Sequence, residues 1–317
     1  MCIMEYESTS DSRPRVLVLV ACYNGGRWIR QQLESILGQE GVDVRILVRD
    51  DGSSDETLDE IKRFAADDDR VRLLPPSAPT GSASRNFLTL MREAAAEEAG
   101  FVAFADQDDI WHPAKLAKAC DALRGQDSVG YSSATVATWP DGRTAVLRQS
   151  TAQTSADFLF EGAGQGCTFV LRANFYSQVR AFVMQRWALT GQVHYHDWMI
   201  YALARTWGRP WVFDSTPYIS YRQHGGNDTG ARATWHGVRK RFRLIRRGWY
   251  RSQLAAIAAV CAAAAPGNHI VAGWRSLLHA SAGWRRRLRI AVFCLRAGRR
   301  RRMDNVVLTL AALAGWI

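Results

Sequence analysis

Over its first hundred or so residues the chain alternates short apolar runs with amphipathic stretches, and this alternation constrains the fold more than any other feature. "RVLVLVA" (15–21) is a continuous β-branched run suited to a strand buried on both faces. "RWIRQQLESILGQ" then spaces Ile29, Leu33, Ile36 and Leu37 as one face of a helix. "VRILV" (44–48) predicts a second strand. "SSDETLDEIKRFAADD" predicts a helix with Leu58, Ile61, Phe64 and Ala65 on one side, capped near Ser54 with Asp55 and Glu56 in its first turn. "VRLL" (71–74), "SRNFLTLMREAAAEE" and "FVAFA" (101–105) continue the series as strand, helix and strand. Strict alternation implies right-handed crossovers and an α/β fold with a mostly parallel central sheet.

Beyond residue 125 the pattern becomes α+β. Strands are expected around "VGYSSATVATW", "GCTFVLR", "WVFD" and "YISYRQH", and helices over 174–186 and "HDWMIYALARTWG", so this half completes the sheet with mixed strands. From about 232 the chain reads as helical, and its charge changes sharply. Residues 232–317 hold 18 Lys+Arg against one acid, Asp304, leaving 23 basic and 29 acidic residues before them. The tail therefore carries +17 and the remainder −6, an asymmetry that points the tail toward an anionic surface, phospholipid or nucleic acid. No apolar run reaches the roughly 18–20 residues of a membrane span. The six cysteines are scattered without metal-finger spacing, as expected of free thiols in a reducing compartment, and the acidic, polar amino terminus lacks the pattern of a secretory signal.

Ligands of parallel sheets collect at the carboxyl ends of the strands. Here those ends read "CYNGG", "RDDGSSD", "PPSAPTGSASRN" and "DQDD". "CYNGG" permits close approach of a ligand to backbone but matches neither a P-loop nor a dinucleotide fingerprint. In "RDDGSSDET", Asp55 and Ser53 are explained by turn and cap chemistry, whereas Asp51 can accept a hydrogen bond from a pyrimidine base. "DQDD" is the strongest element: Asp106, Asp108 and Asp109 repel one another, and hard oxygen ligands with open positions suit Mg²⁺ or Mn²⁺. Asp109 alone is accounted for by a helix N-terminus starting at Pro113.

In "HYHDWMI", His194 and His196 lack a third zinc-type ligand, and Asp197 reads either as a helix cap or as a general base. In "YRQHGGNDTG", Arg222 and His224 precede a glycine pair, a suitable place for groups that grip a diphosphate as a lid closes.

Taken together, "VLVLVACYNGGRWIRQQLESILGQ", "ILVRDDGSSDET", "GSASRNF", "FADQDDIWHPAKL", "GCTFVLR", "HDWMIYALA" and "YRQHGGN" resemble family 2 of the glycosyltransferases, inverting enzymes of the GT-A fold. "DQDDIW", "HDW" and "YRQHG" look most like the bacterial rhamnosyltransferase branch that builds O-antigen and related polysaccharides. The resemblance implies a GT-A domain over 14–231; the basic, mainly helical region over 232–317 lies outside it. The resemblance also implies a nucleotide-sugar donor of the dTDP-L-rhamnose type, contacted by Tyr23, Asn24, Asp51, Arg85, Asp106 and Arg222. Asp106 and Asp108 match the family's D-x-D, His224 a position that helps hold metal or phosphates, and Asp197 the catalytic base. The acceptor would be a saccharide or lipid-linked saccharide, met at the inner face of the cytoplasmic membrane through the basic region. A nucleotidyltransferase would want a glycine-rich phosphate loop with more basic residues than Arg27, and the acidic rim argues against nucleic acid as partner.

Overall fold

A computed structural model describes residues 13–96, 98–148, 153–224 and 244–317. The predicted alternation is present: β1 (Arg15–Cys22), α1 (Gly26–Leu37), β2 (Asp43–Asp50), α2 (Thr57–Asp67), β3 (Val71–Leu73), α3 (Ala83–Glu93) and β4 (Phe101–Asp106). These are followed by β5 (Ile110–Trp111), α4 (Lys115–Arg124), β6 (Gly130–Thr138), β7 (Thr144–Leu147), β8 (Val170–Arg172), α5 (Ala173–Gln185), α6 (Trp187–Thr190), α7 (His196–Thr206) and β9 (Trp211–Arg222). Among the described residues the carboxyl-terminal part contains α8 (Trp249–Ala264), α9 (His269–His279), α10 (Trp284–Ala297) and α11 (Arg302–Leu313).

Nine strands form one sheet in the order β3-β2-β1-β4-β8-β6-β9-β5, with β7 paired to β6. β3, β2, β1 and β4 are parallel, β8 is antiparallel to both β4 and β6, and β9 runs parallel to β6 and antiparallel to β5. The parallel half is thus completed by mixed strands. Val18, Val20 and Val48 of β1 and β2 face one buried cluster with Ile29, Leu33 and Ile61 from the helices on that side. Leu19 and Leu47 face another with Phe87, Leu90 and Met91. Burial on both faces is what the unbroken β-branched runs encode.

Four expectations are corrected. α2 begins at Thr57 rather than near Ser54, because Ser53, Ser54 and Asp55 are spent on hydrogen bonds to the loop after β1. α3 stops at Glu93: the Tyr176 hydroxyl takes the Ala94 carbonyl at 2.9 Å, and Arg180 takes those of Met91 and Arg92, so the alanines beyond have no helix to continue. "WVFD" and "YISYRQH" are one twelve-residue strand, β9, which absorbs Pro217 beside register shifts in β6. α4 starts at Lys115, and Asp109 packs elsewhere than at its N-terminus.

The carboxyl-terminal helices are integral to the fold. Leu254, Ile257, Trp274, Ile290, Cys294, Leu308 and Ile317 share one buried cluster with Phe104 and Trp198 of the sheet half. The expected boundary at 231/232 and the glycine pair after His224 lie outside the described residues. The five described cysteines are all buried free thiols. Among the described residues no helix is long and apolar enough to cross a membrane.

Candidate active site

Strand register brings the rim together. Ala21 lies opposite Asp106 and Cys22 opposite Asp50, so β1, β2 and β4 end at one level and their loops meet. The loop after β1 is stitched to both neighbours. Asn24 adopts a left-handed conformation (φ 49°), donates its backbone N–H to Ser53 Oγ at 2.8 Å, and accepts from the Ser54 N–H through Oδ1 at 2.8 Å. The N–H of Gly25 donates to Thr57 Oγ1 and that of Gly26 to Asp55 Oδ2.

Gln107, between the aspartates, brackets the Tyr23 peptide: its Oε1 accepts from the Tyr23 N–H at 2.7 Å and its Nε2 donates to the Tyr23 carbonyl at 2.8 Å. A Cβ at Gly25 would lie 2.3 Å from this side chain. Sequence reasoning missed Gln107; the signal available was a lone amide flanked by acids beside a strand end with glycines. Gln107→Ala should lower stability by about 1–3 kcal/mol, the value of two modest hydrogen bonds, and weaken nucleotide binding, read by thermal denaturation and calorimetric titration.

Asp51 is buried with every acceptor position engaged. Oδ1 accepts from Arg49 at 2.6 Å and the Thr80 N–H at 2.7 Å, and Oδ2 from Thr80 Oγ1 and the Gly81 N–H. Burial alone would raise its pKa, but the bonds from Arg49, Thr80 and Gly81 prevail and hold it below the ordinary range. The carboxylate therefore fixes the 77–81 loop at the wall of the cleft, with Arg49 also tied to Asn86 and Ser77.

The acids of "DQDD" fall into two overlapping groups. β5 pairs antiparallel with β9, Ile110 opposite Ser220, and continuing that register carries Arg222–His224 back past Asp108. His224 Nε2 meets Asp108 Oδ2 at 2.7 Å, and its ring stacks on Trp28 at 4.2 Å. Behind this pair, Asp106, Asp109 and Cys167 offer ligand atoms within 4.8 Å of one another. Asp109 is sealed from solvent; burial first, then Asp108 and Asp106, push its pKa well up. The Cys167 thiol and the Arg222 amide face it and offset part of that shift, though neither closes a bond of standard geometry. Burial also raises Cys167.

A thiol and a carboxylate sealed from solvent make a poor seat for Mg²⁺, which prefers oxygen ligands and retains waters. On the open side Asp108 and His224 offer an oxygen and an imidazole nitrogen, donors of the kind that Mg²⁺ or Mn²⁺ accept, while Asp106 is grouped with Asp109 and Cys167. Donors of this chemistry fit a divalent ion. Beneath them the buried Lys115 rests on the Trp111 ring at 3.4 Å, its pKa lowered by burial to about 7.

Asp197 stands in the first turn of α7, with Tyr195 in the cap position, so it is not the cap. It accepts from the Trp198 N–H at 2.7 Å and from the Gly166 amide, yet burial raises its pKa to about 6. Gly166 is critical here: a Cβ there would lie 3.0 Å from His196 and 3.3 Å from Asp197. Its neighbour Cys167 touches the acid cluster. Because β8 is antiparallel to β4, the turn Gly166–Thr168 preceding it runs beside Asp106, and two adjacent residues span from base to acids. The histidines diverge. His196 stacks on Phe87 at 4.1 Å with its pKa lowered by burial to about 3, while His194 sits edge-on to Trp249.

Besides Asp51 and Asn24, two further expected donor contacts are engaged within the chain. Arg85 Nε donates to the Gly191 carbonyl at 3.4 Å, and Arg222 donates to Gln31 of α1. Tyr23, just after β1, is 58% exposed.

The model of glycosyl transferase family 2 matches residues 17–178. The chain belongs to this family. It is 35% identical over 240 residues to the dTDP-rhamnosyl transferase RfbG of Shigella flexneri, covering 75% of this chain and 83% of that protein. Solved structures share the fold. Staphylococcus aureus TarS 1–349 in complex with UDP-GlcNAc superposes with a TM-score of 0.51 at 14% identity, over 95% of this chain and 89% of that one, although this chain spans only 43% of a longer TarS chain. The mannosyltransferase PcManGT from Pyrobaculum calidifontis, in complex with GDP-Man and Mn²⁺, gives 0.51 at 16% identity, over 95% and 86%. The protein is a glycosyltransferase with a GT-A-type fold, its helical carboxyl-terminal region packed on the catalytic unit.

Proposed function

We propose that this family 2 transferase moves L-rhamnose from dTDP-L-rhamnose, with inversion, to a saccharide or lipid-linked saccharide acceptor in cell-surface polysaccharide synthesis at the inner face of the cytoplasmic membrane. The observation that carries the chemistry is the turn Gly166–Cys167, which links a carboxylate of raised pKa to the acid cluster. The sugar rests on the likeness to the S. flexneri enzyme.

Asp197 takes the proton of the acceptor hydroxyl, whose oxygen attacks the anomeric carbon opposite the leaving diphosphate. A carboxylate with a pKa of about 6 is ionised at neutral pH yet more basic than an ordinary aspartate. Tyr23, Asn24 and the loop anchored by Asp51 line the nucleotide side, and Arg85 and Arg222 stand at its edges. A divalent ion held by Asp106, Asp108 and His224 would neutralise charge on the departing diphosphate.

Thermal-shift and transfer assays with dTDP-L-rhamnose, UDP-glucose, UDP-GlcNAc and GDP-mannose, with and without Mn²⁺, test the reading. Stabilisation and turnover by the rhamnosyl donor are expected; turnover of another donor alone would overturn the sugar assignment. The profile of kcat/KM should fall about tenfold per unit below pH 6, as Asp197 becomes protonated and loses its proton-accepting form.

A further inference from the structure

α10 and α11 form an antiparallel pair: Arg287 near the start of α10 lies under Gly315 just beyond α11, and Thr309 approaches the Ala291 carbonyl. Each helix buries one face, through Ile290 and Cys294 on α10 and Leu308 and Ala312 on α11. Their outer faces are apolar as well. On α10, Trp284, Leu288, Val292 and Leu295 follow helical spacing and are all exposed. On α11, Met303, Val307 and Leu310 do the same, Met303 at 74% and Leu310 at 61% exposure. Soluble surfaces scatter such residues singly; two adjacent apolar stripes on neighbouring helices mark an interaction surface.

The charge around the stripes identifies the partner. Arg285, Arg289, Arg296, Arg301 and Arg302 are exposed beside them, and Asp304 is the one acid in residues 232–317. Arg251, Arg286 and Arg287 crowd together; burial and then the two neighbouring guanidiniums lower the pKa of Arg286. This excess of positive charge disfavours a second copy of the same face, and it complements an anionic one. Apolar stripes rimmed by arginine are the pattern of helices lying in a lipid interface.

We propose that the outer faces of α10 and α11 dock the enzyme on an anionic lipid bilayer, the apolar stripes entering the headgroup boundary and the arginines meeting lipid phosphates. The proposal extends the reading of a lipid-linked acceptor, and it turns the basic region from a loose electrostatic tail into a defined two-helix surface. That surface is fixed to the chemistry. Between the two helices, Arg300 pairs with Asp157 at 2.9 Å and donates to the Gly162 carbonyl at 2.7 Å, while Arg299 pairs with Glu161 at 3.1 Å. Asp157 also binds Tyr201 and Arg205 of α7, and the Phe158 carbonyl accepts from the indole of Trp198, next to Asp197. Docking the pair would therefore hold the catalytic base at a set height above the lipid surface.

The test is vesicle flotation of the full chain with phosphatidylcholine alone and with added phosphatidylglycerol. Binding to the anionic vesicles is expected, with a drop of about tenfold or more in both Leu288→Asp/Leu310→Asp and Arg285→Glu/Arg289→Glu. All four positions are exposed, and thermal denaturation verifies that the variants fold. Equal binding to both vesicle types, or unchanged binding in both variants, overturns the proposal. So does a dimer, seen by light scattering, that the leucine variant dissociates while vesicles are not bound. Donor hydrolysis is measured alongside: vesicle binding without hydrolysis would leave the docking surface standing and remove the transferase reading, and hydrolysis without vesicle binding the reverse.

Discussion

Asp197→Asn should lower kcat by about 100- to 10,000-fold, the usual worth of a positioned general base, while donor affinity stays near that of the parent. It should also stabilise the fold at neutral pH. The carboxyl has an ordinary pKa of 3.8 when unfolded and about 6 in the folded chain, where burial penalises its charge. A pKa raised by folding contributes stability below pH 3.8 that is lost as pH climbs through 6. At pH 7 the parent carries the full penalty, about 1–3 kcal/mol after allowing for the partial exposure of the group. Asparagine keeps an acceptor for the Trp198 N–H and avoids the charge. A higher Tm at pH 7 that vanishes near pH 3.5, joined to a lost transfer rate, is the result expected of a base placed for reactivity at the expense of stability. A variant that retains the parental rate would show that another group removes the proton.

How far the sequence alone reaches can be argued residue by residue. The alternation from Arg15 to Asp106 was legible because both faces of those strands are covered by helices, so hydrophobic periodicity and tertiary burial agree. It failed where a side chain serves a distant partner. Ser53, Ser54 and Asp55 look like a helix start, and in the structure they hold the loop of Asn24 and Gly26, some thirty positions earlier. α3 ended early because Tyr176 and Arg180, far along the chain, claim its last carbonyls. Asp106, Asp108 and Asp197 were singled out from the sequence because carboxylates grouped at strand and helix ends repel one another unless something offsets their charge. Gln107 and Gly166 were not. Their significance is a matter of where backbone passes: the Tyr23 peptide runs under the Gln107 amide, and the antiparallel pairing of β8 with β4 carries Gly166 past Asp197.

Asp108→Asn separates the two possible seats for a divalent ion. Asp108 and His224 approach each other at 2.7 Å on the open side, whereas Asp109 and Cys167 lie sealed behind Asp106. If the open set holds the ion, this variant should lose more of the Mn²⁺-dependent donor affinity than the roughly 10- to 100-fold that removal of an outer partner costs. Donor binding without metal should be unchanged or slightly better, because one negative charge facing the diphosphate is gone. His224→Ala should shift the metal dependence in the same direction. Asp109→Asn should leave it almost intact, since that carboxyl is sealed from solvent and burial disfavours its charged form. Calorimetric titration of dTDP and dTDP-L-rhamnose, with and without Mn²⁺, reads all three. The reverse order, with Asp109→Asn abolishing the metal dependence and Asp108→Asn sparing it, would move the ion into the buried set. Equal donor binding in the parent with and without metal would mean that the rim carboxylates hold no cation, leaving the charge of the departing diphosphate to Arg222 and the backbone amides of the loops.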